Sequence, residues 1–150
     1  MDRPSDKNAY QAEHAKLLLR SYQERIGKPL IASTDPREVY EAPFAILSHD
    51  TSEDPILTYG NLAAQRLWNI SWEELTQMPS RLTAEPGHRN QRAAMFEEMR
   101  ESGAIRNYEG VRIAKSGQRF RIRNATIWNL TDLNGEKVGE AATFKEYTLL

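Results

Sequence analysis

Gln118-Arg119-Phe120-Arg121-Ile122-Arg123-Asn124-Ala125-Thr126-Ile127-Trp128-Asn129-Leu130-Thr131 is the stretch that decides the fold. It is long, rich in β-branched and aromatic residues, and alternates as a strand does. Strict alternation puts Phe120, Ile122, Asn124, Thr126, Trp128 and Leu130 on one face, and Arg119, Arg121, Arg123, Ala125, Ile127 and Asn129 on the other. The first set predicts a core face with two polar residues, Asn124 and Thr126, in its middle.

Turn signals bracket this strand. Lys115-Ser116-Gly117 precedes it and Asp132-Leu133-Asn134-Gly135 follows it, and both suit hairpins because Asn and Gly tolerate positive φ. The neighbouring strands are expected over about 105–114 and 137–147. Further upstream, Phe44-Ala45-Ile46-Leu47-Ser48 and Ile56-Leu57-Thr58-Tyr59 flank a turn-rich loop and predict another hairpin. Between the two groups lie helices. Asn61 caps one through about Trp68, Ser71-Trp72-Glu73-Glu74 has capping-box spacing, and Ala93, Met95, Phe96 and Met99 give 89–102 the apolar side of a long helix ended by Gly103. An amphipathic N-terminal helix carries Tyr10, His14, Leu17, Leu18 and Tyr22, starts at Ser5 or Asp6, and stops at Gly27-Lys28-Pro29. Residues 30–43 read as a connection with a short helical turn around Arg37 to Tyr40. The expected domains are an N-terminal helix over 1–29, the connection over 30–43, and a core over 44–147.

The 150 residues suit one core, and 39% hydrophobic with 27% charged residues is a globular balance. With 20 basic and 21 acidic residues the net charge is −1, so no global field draws the chain to nucleic acid or anionic lipid. Cysteine is absent, which removes disulfides, thiolate metal sites, cysteine nucleophiles and photochemistry through a cysteine adduct. The N-terminus lacks a signal-peptide run, no segment reaches the roughly 20 apolar residues of a membrane span, and a cytoplasmic location is the default expectation.

An α+β chain with a five-stranded antiparallel sheet, helices inserted after strand 2 and an N-terminal helical cap has the PAS layout. Tyr59-Gly60-Asn61-Leu62-Ala63-Ala64 and Lys115-Ser116-Gly117-Gln118-Arg119-Phe120 resemble general PAS sequence. More specifically, Glu41-Ala42-Pro43-Phe44, Ser48-His49-Asp50, Asp54-Pro55-Ile56-Leu57-Thr58-Tyr59-Gly60-Asn61, Pro79-Ser80-Arg81-Leu82-Thr83-Ala84-Glu85 and Ala125-Thr126-Ile127-Trp128-Asn129-Leu130 resemble the MEKHLA family from about His14 to Phe144. That family is known from the C-terminus of plant homeodomain-leucine zipper regulators and from short bacterial, notably cyanobacterial, proteins. The resemblance implies a PAS-like fold and a sensory role, with the output carried by another, unknown protein.

A buried amide or hydroxyl without a partner costs about 1–3 kcal/mol, so Asn124 and Thr126 call for a ligand, a neighbouring loop or trapped water. The ligand-binding residues expected from sequence are Asn124, Thr126, Trp128, Trp68, Met95 and Arg81. Trp68, Trp72 and Trp128 would stack on a flat heterocycle such as a flavin, or simply fill the core. Arg81 can clamp an anion at the pocket mouth or brace its loop through Glu85. His49 and His88 are candidates for haem or metal, against which stand three scattered His and no paired ligand spacing. Arg112, Arg119, Arg121 and Arg123 can meet RNA, but solvated strand positions, or pairing with Glu109, Glu136 and Glu140, account for them better, and the near-zero net charge speaks against nucleic acid. A homodimer through the N-terminal helix and the outer sheet face, where Ile127 and Val138 or Phe144 are expected, is the favoured assembly. No catalytic motif is visible, and Asp50, Glu53 and Asp54 read as a solvated turn. Two functions remain: a small-molecule sensor, and an interaction or dimerisation module whose interior is filled by its own side chains.

Overall fold

The computed structural model describes residues 1–84 and 97–150. Its helices are α1 (Ala12–Ile26), α2 (Pro36–Tyr40), α3 (Leu62–Trp68) and α4 (Trp72–Leu75). The strands are β1 (Ala45–His49), β2 (Leu57–Gly60), β3 (Ala104–Ile113), β4 (Arg119–Thr131), β5 (Lys137–Phe144) and β6 (Glu146–Leu149). All pairings are antiparallel, in the order β2-β1-β5-β4-β3, with β6 also paired to β4. Residues 97–102 are helical, and the rest of the helix expected over 89–102, with Met95 and His88, lies outside the described residues.

Local chemistry sets the element ends. Asn61 accepts from Ala64 N to cap α3, Ser71 accepts from Glu74 N to cap α4, and Asp35 caps α2 ahead of Pro36. Gly117 and Gly135 take the positive φ that their hairpin turns require. The N-terminal helix starts later than Ser5 or Asp6. A 3-10 turn at Asp6–Asn8 is followed by Ala9, Tyr10 and Gln11 in the left-handed region, and only then by α1. The Tyr10 ring lies 6.3 Å from Tyr40 and under the Arg37 guanidinium, so tertiary contacts override helical propensity there.

Strict alternation fails in the middle of β4. Asn124 takes φ +52, and Asn107 on β3 takes φ +57. The β3–β4 register slips between Ile105 and Tyr108, slips back between Tyr108 and Gly110, and is the same beyond as before. Opposite Asn124 on the other edge, the strand expected over 137–147 divides: β5 ends at Phe144, Lys145 breaks the ladder, and β6 resumes along β4 with Arg123 facing Glu146. A left-handed residue inserted in a strand reverses which face the following side chains point to.

The two faces of β4 therefore exchange partners at Asn124. Phe120, Ile122 and Ala125 share one apolar cluster with Ala64 and Trp68 of α3 and Leu75 of α4. Trp128 and Leu130 join the opposite cluster with Leu18 and Tyr22 of α1. This corrects the single face expected for Phe120 through Leu130. It also moves Ile127 and Phe144 from the outer face to the inner one, since Trp128 and Thr126 face α1 and Phe144 packs with Trp68.

The sheet thus carries α3 and Leu75 of α4 on its inner face and α1 on its outer face, where Trp72 of α4 joins the α1 cluster against Tyr59. Helix α1 is pinned at the end of β4. Arg20 donates to Thr131 O at 2.6 Å, Arg25 to Thr131 Oγ1 at 3.0 Å, and Thr131 N donates to the buried Ser21 Oγ at 3.2 Å. The Tyr22 ring meets Trp128 edge-on at 4.9 Å.

Candidate ligand-binding face

The residues singled out from sequence are dispersed. Asn124 is exposed and donates to Glu146 Oε2 at 2.6 Å. Thr126 and Trp128 face α1, and the buried Trp128 Nε1 has no hydrogen-bond partner. Trp68 lies on the inner side, buried between Phe120 at 5.0 Å and Phe144 at 5.9 Å, with Nε1 donating to Thr83 O. Arg81 is exposed and its ion partner is Asp54 at 3.1 Å. Trp68, Met78, Leu82 and Ile113 line a cleft of about 460 Å³ with the Glu74–Lys115 ion pair at its rim.

A different polar group gathers on the inner face. Strand register pairs His49 on β1 with Glu140 on β5, and Glu140 with Asn129 on β4. Their neighbours Ser48, Ala141 and Trp128 face outward, so alternation turns all three inward, with side chains of direct partners about 5 Å apart. Leu47, Ala142 and Ile127 form the next row on the same face, directly paired or in line, and give the polar row an apolar border.

Each member has one defined partner and spare capacity. His49 Nδ1 lies 2.8 Å from Asp50 O, and because a carbonyl only accepts, Nδ1 carries a proton there and Nε2 is left uncommitted. Glu140 accepts from Lys137 Nζ at 2.8 Å. Asn129 N donates to Gly103 O at 2.8 Å, at the end of the 97–102 helix, while its side-chain Oδ1 is buried with no hydrogen-bond partner. A buried polar atom without a partner is rare and costly, and because the Asn129 amide carries both an acceptor and two donors it can meet a group of either kind.

Sequence reading missed this row because the phase of β4 was carried unbroken through Asn124. The available signal was Asn itself, the residue after Gly that most readily enters the left-handed region. The acidic loop does what a solvated turn does: Asp50 Oδ1 accepts from Ser52 N, Ser52 Oγ and Ile56 N, and chiefly the Ser52 bond lowers its pKa. Among the described residues no group of three or more His, Cys, Asp or Glu is placed to hold a metal ion.

On the outer face His14 stacks on Tyr59 at 5.3 Å and shares a hydrogen bond with Ser48 Oγ at 2.9 Å. Burial lowers the His14 pKa to about 4 and pushes the Tyr59 phenol up.

The family model of the MEKHLA domain matches residues 12–149. The chain belongs to the MEKHLA domain family. Solved structures similar to this MEKHLA domain are PAS and light-oxygen-voltage domains. One is the PAS domain of a Colwellia psychrerythraea protein, at 17% identity and TM-score 0.63, covering 73% of this chain and 91% of that one. Another is an RNA-binding light-oxygen-voltage receptor at 20% identity and TM-score 0.63, covering 73% of this chain and 31% of that one. A third is the light-state dimer of the fungal blue-light photoreceptor Vivid, at 19% identity and TM-score 0.57, covering 70% and 78%. At these identities the likeness shows the PAS-like fold. No curated protein sequence matches. Among the described residues no helix is long and apolar enough to cross a membrane.

Proposed function

We propose that this MEKHLA domain is a non-catalytic sensory domain that binds a small planar molecule against the inner face of its sheet and passes the event to a partner protein through α1. The observation that carries the reading is the buried, unpartnered Asn129 Oδ1 in line with Glu140 and His49. Apolar walls with a few convergent polar groups are the usual make-up of a small-molecule site. A flat heterocycle, a flavin included, suits a sheet face bordered by Ile127 and Ala142, and with no cysteine in the chain such a flavin would act without a thiol adduct.

The route to α1 is short. Asn129 faces the ligand, while its neighbours Trp128 and Leu130 face α1 and Thr131 is the anchor of Arg20, Ser21 and Arg25. A displacement of β4 by bound ligand is thereby felt at α1. The same helix covers the outer face in cis, so a homodimer would form through the solvent side of α1.

Native mass spectrometry of protein purified without denaturation tests the proposal, with Ala142→Trp as a variant that fills the face. A stoichiometric small molecule retained by the wild type and lost from the variant is the expected result. Bare chain mass for both would favour the interaction-module reading, which rests on the aromatic packing of Trp68, Phe120, Phe144 and Tyr147 on the same side of the sheet.

A further inference from the structure

Strand β6 has one free edge. It runs antiparallel to β4, with Arg121 facing Thr148 and Arg123 facing Glu146, and Leu150 N donates to Arg119 O at 2.9 Å. In an antiparallel ladder only alternate residues exchange backbone bonds, so Glu146, Thr148 and Leu150 direct their peptide groups to β4. The N–H and C=O of Tyr147 and Leu149 point the other way, and among the described residues no backbone group meets them. Strand β1 begins at Ala45, opposite Phe144, and so stops short of β6.

All four residues of β6 are exposed, and two are large and apolar, Tyr147 at 48% and Leu149 at 59%. The other edges are protected. Leu57 N donates to Met78 O and Ile56 bridges to Pro79, which covers β2, while β3 carries Arg106, Glu109 and Arg112 and is interrupted at Asn107. An open edge bearing apolar side chains is a template for another strand. We propose that β6 pairs antiparallel with β6 of a second copy of this chain, about a two-fold axis at Thr148.

The choice of a second copy rests on the register, which is self-complementary as an isologous contact must be. Tyr147 exchanges both backbone bonds with Leu149 of the second copy, and Leu149 with Tyr147 of that copy, so every outward peptide group of β6 is used. The side chains of Tyr147 and Leu149 lie on the face of Ile122 and Phe120, and across the axis each Tyr147 covers a Leu149. On the other face Thr148 meets Thr148 and Glu146 falls opposite Leu150, so no like charges are set directly across. Lys145 stays outside the pairing, over the Phe44 ring. The contact is short, and a dissociation constant on the order of 0.1 mM is expected. It is separate from the solvent side of α1 and independent of the ligand reading.

The chain has no cysteine, so Thr148→Cys places a single thiol on the axis. Residues directly opposed in a non-hydrogen-bonded antiparallel pair have Cα atoms about 4.5 Å apart, within reach of a disulfide. Under mild oxidation Thr148→Cys is expected to give covalent dimer at least about tenfold faster than Ser116→Cys in the exposed β3–β4 turn, because pairing raises the local thiol concentration. Sedimentation equilibrium to about 1 mM measures the association of the unmodified chain. Leu149→Pro removes an outward N–H and leaves the β4–β6 bonds in place, and Thr148→Glu sets two carboxylates across the axis while meeting Arg121 and Arg123 in its own chain. Each is expected to weaken association at least about tenfold with circular dichroism and melting unchanged. A wild type that stays monomeric throughout, or a dimer that neither variant weakens, overturns the proposal, and the second result would place the contact elsewhere, at α1 for instance. If Leu149→Pro fails to fold, Thr148→Glu and the cross-linking decide, and equal rates for the two thiols sink the pairing.

Discussion

Asn107 and Asn124 lie on adjacent strands, both in the left-handed region, and the register slips beside them cancel. Together with the break at Lys145 they draw a line across β3, β4 and the β5–β6 strand, where the sheet exchanges faces. Everything that identifies the candidate site depends on that line.

Asn124 is the residue to perturb first. A β-branched residue in the left-handed region costs about 1–3 kcal/mol, so Asn124→Val should destabilise by that amount. Asn124→Gly, which loses only the exposed bond to Glu146, should lie within about 1 kcal/mol of wild type. Urea unfolding separates the two, and equal losses would show that the left-handed backbone does not matter.

Asn61 ties three segments together with four hydrogen bonds. Fully buried, it accepts from Ile46 N and Ala64 N and donates to Val39 O and Phe44 O. Asn61→Ala leaves those groups unpaired and removes a helix cap, for a loss of at least about 3 kcal/mol. A loss below about 1 kcal/mol in chemical denaturation would contradict the geometry.

His14 supplies a pH dependence. Its folded pKa of about 4 lies below the ordinary 6.5, so between these values the unfolded chain binds more protons. Its stabilising effect is full above pH 6.5 and declines as pH falls toward 4, by up to about 2–3 kcal/mol. Burial is the cause, so His14→Phe should flatten the stability profile across that window. Proton resonances of the imidazole titrating near 6.5 in the folded protein would count against it.

Gly139 has no room for a side chain. A Cβ there would sit 2.3 Å from the His49 carbonyl oxygen, a backbone atom that cannot swing aside. Gly139→Ala should force β5 from β1 at the edge of the candidate site and cost about 1–3 kcal/mol. Gly117→Ala, in a turn with open space around it, should be milder, costing only the strain of its positive φ. Thermal unfolding of the two variants tests the ranking.

The amino-acid sequence by itself determined the element order, the capped helices at Asn61 and Ser71, both hairpin turns and the family, because each depends on residues a few positions apart. Caps, turns and alternation are short-range chemistry. Only the tertiary structure decided which face of β4 meets α1, that Arg81 pairs with Asp54, and that His49, Glu140 and Asn129 form one row. Asn124 is compatible with extended backbone as well as with the left-handed region, and what selects the latter is the pairing of β4 with two strands that break at the same level. A one-residue change of phase is cheap locally, yet it turns every side chain beyond it to the other face.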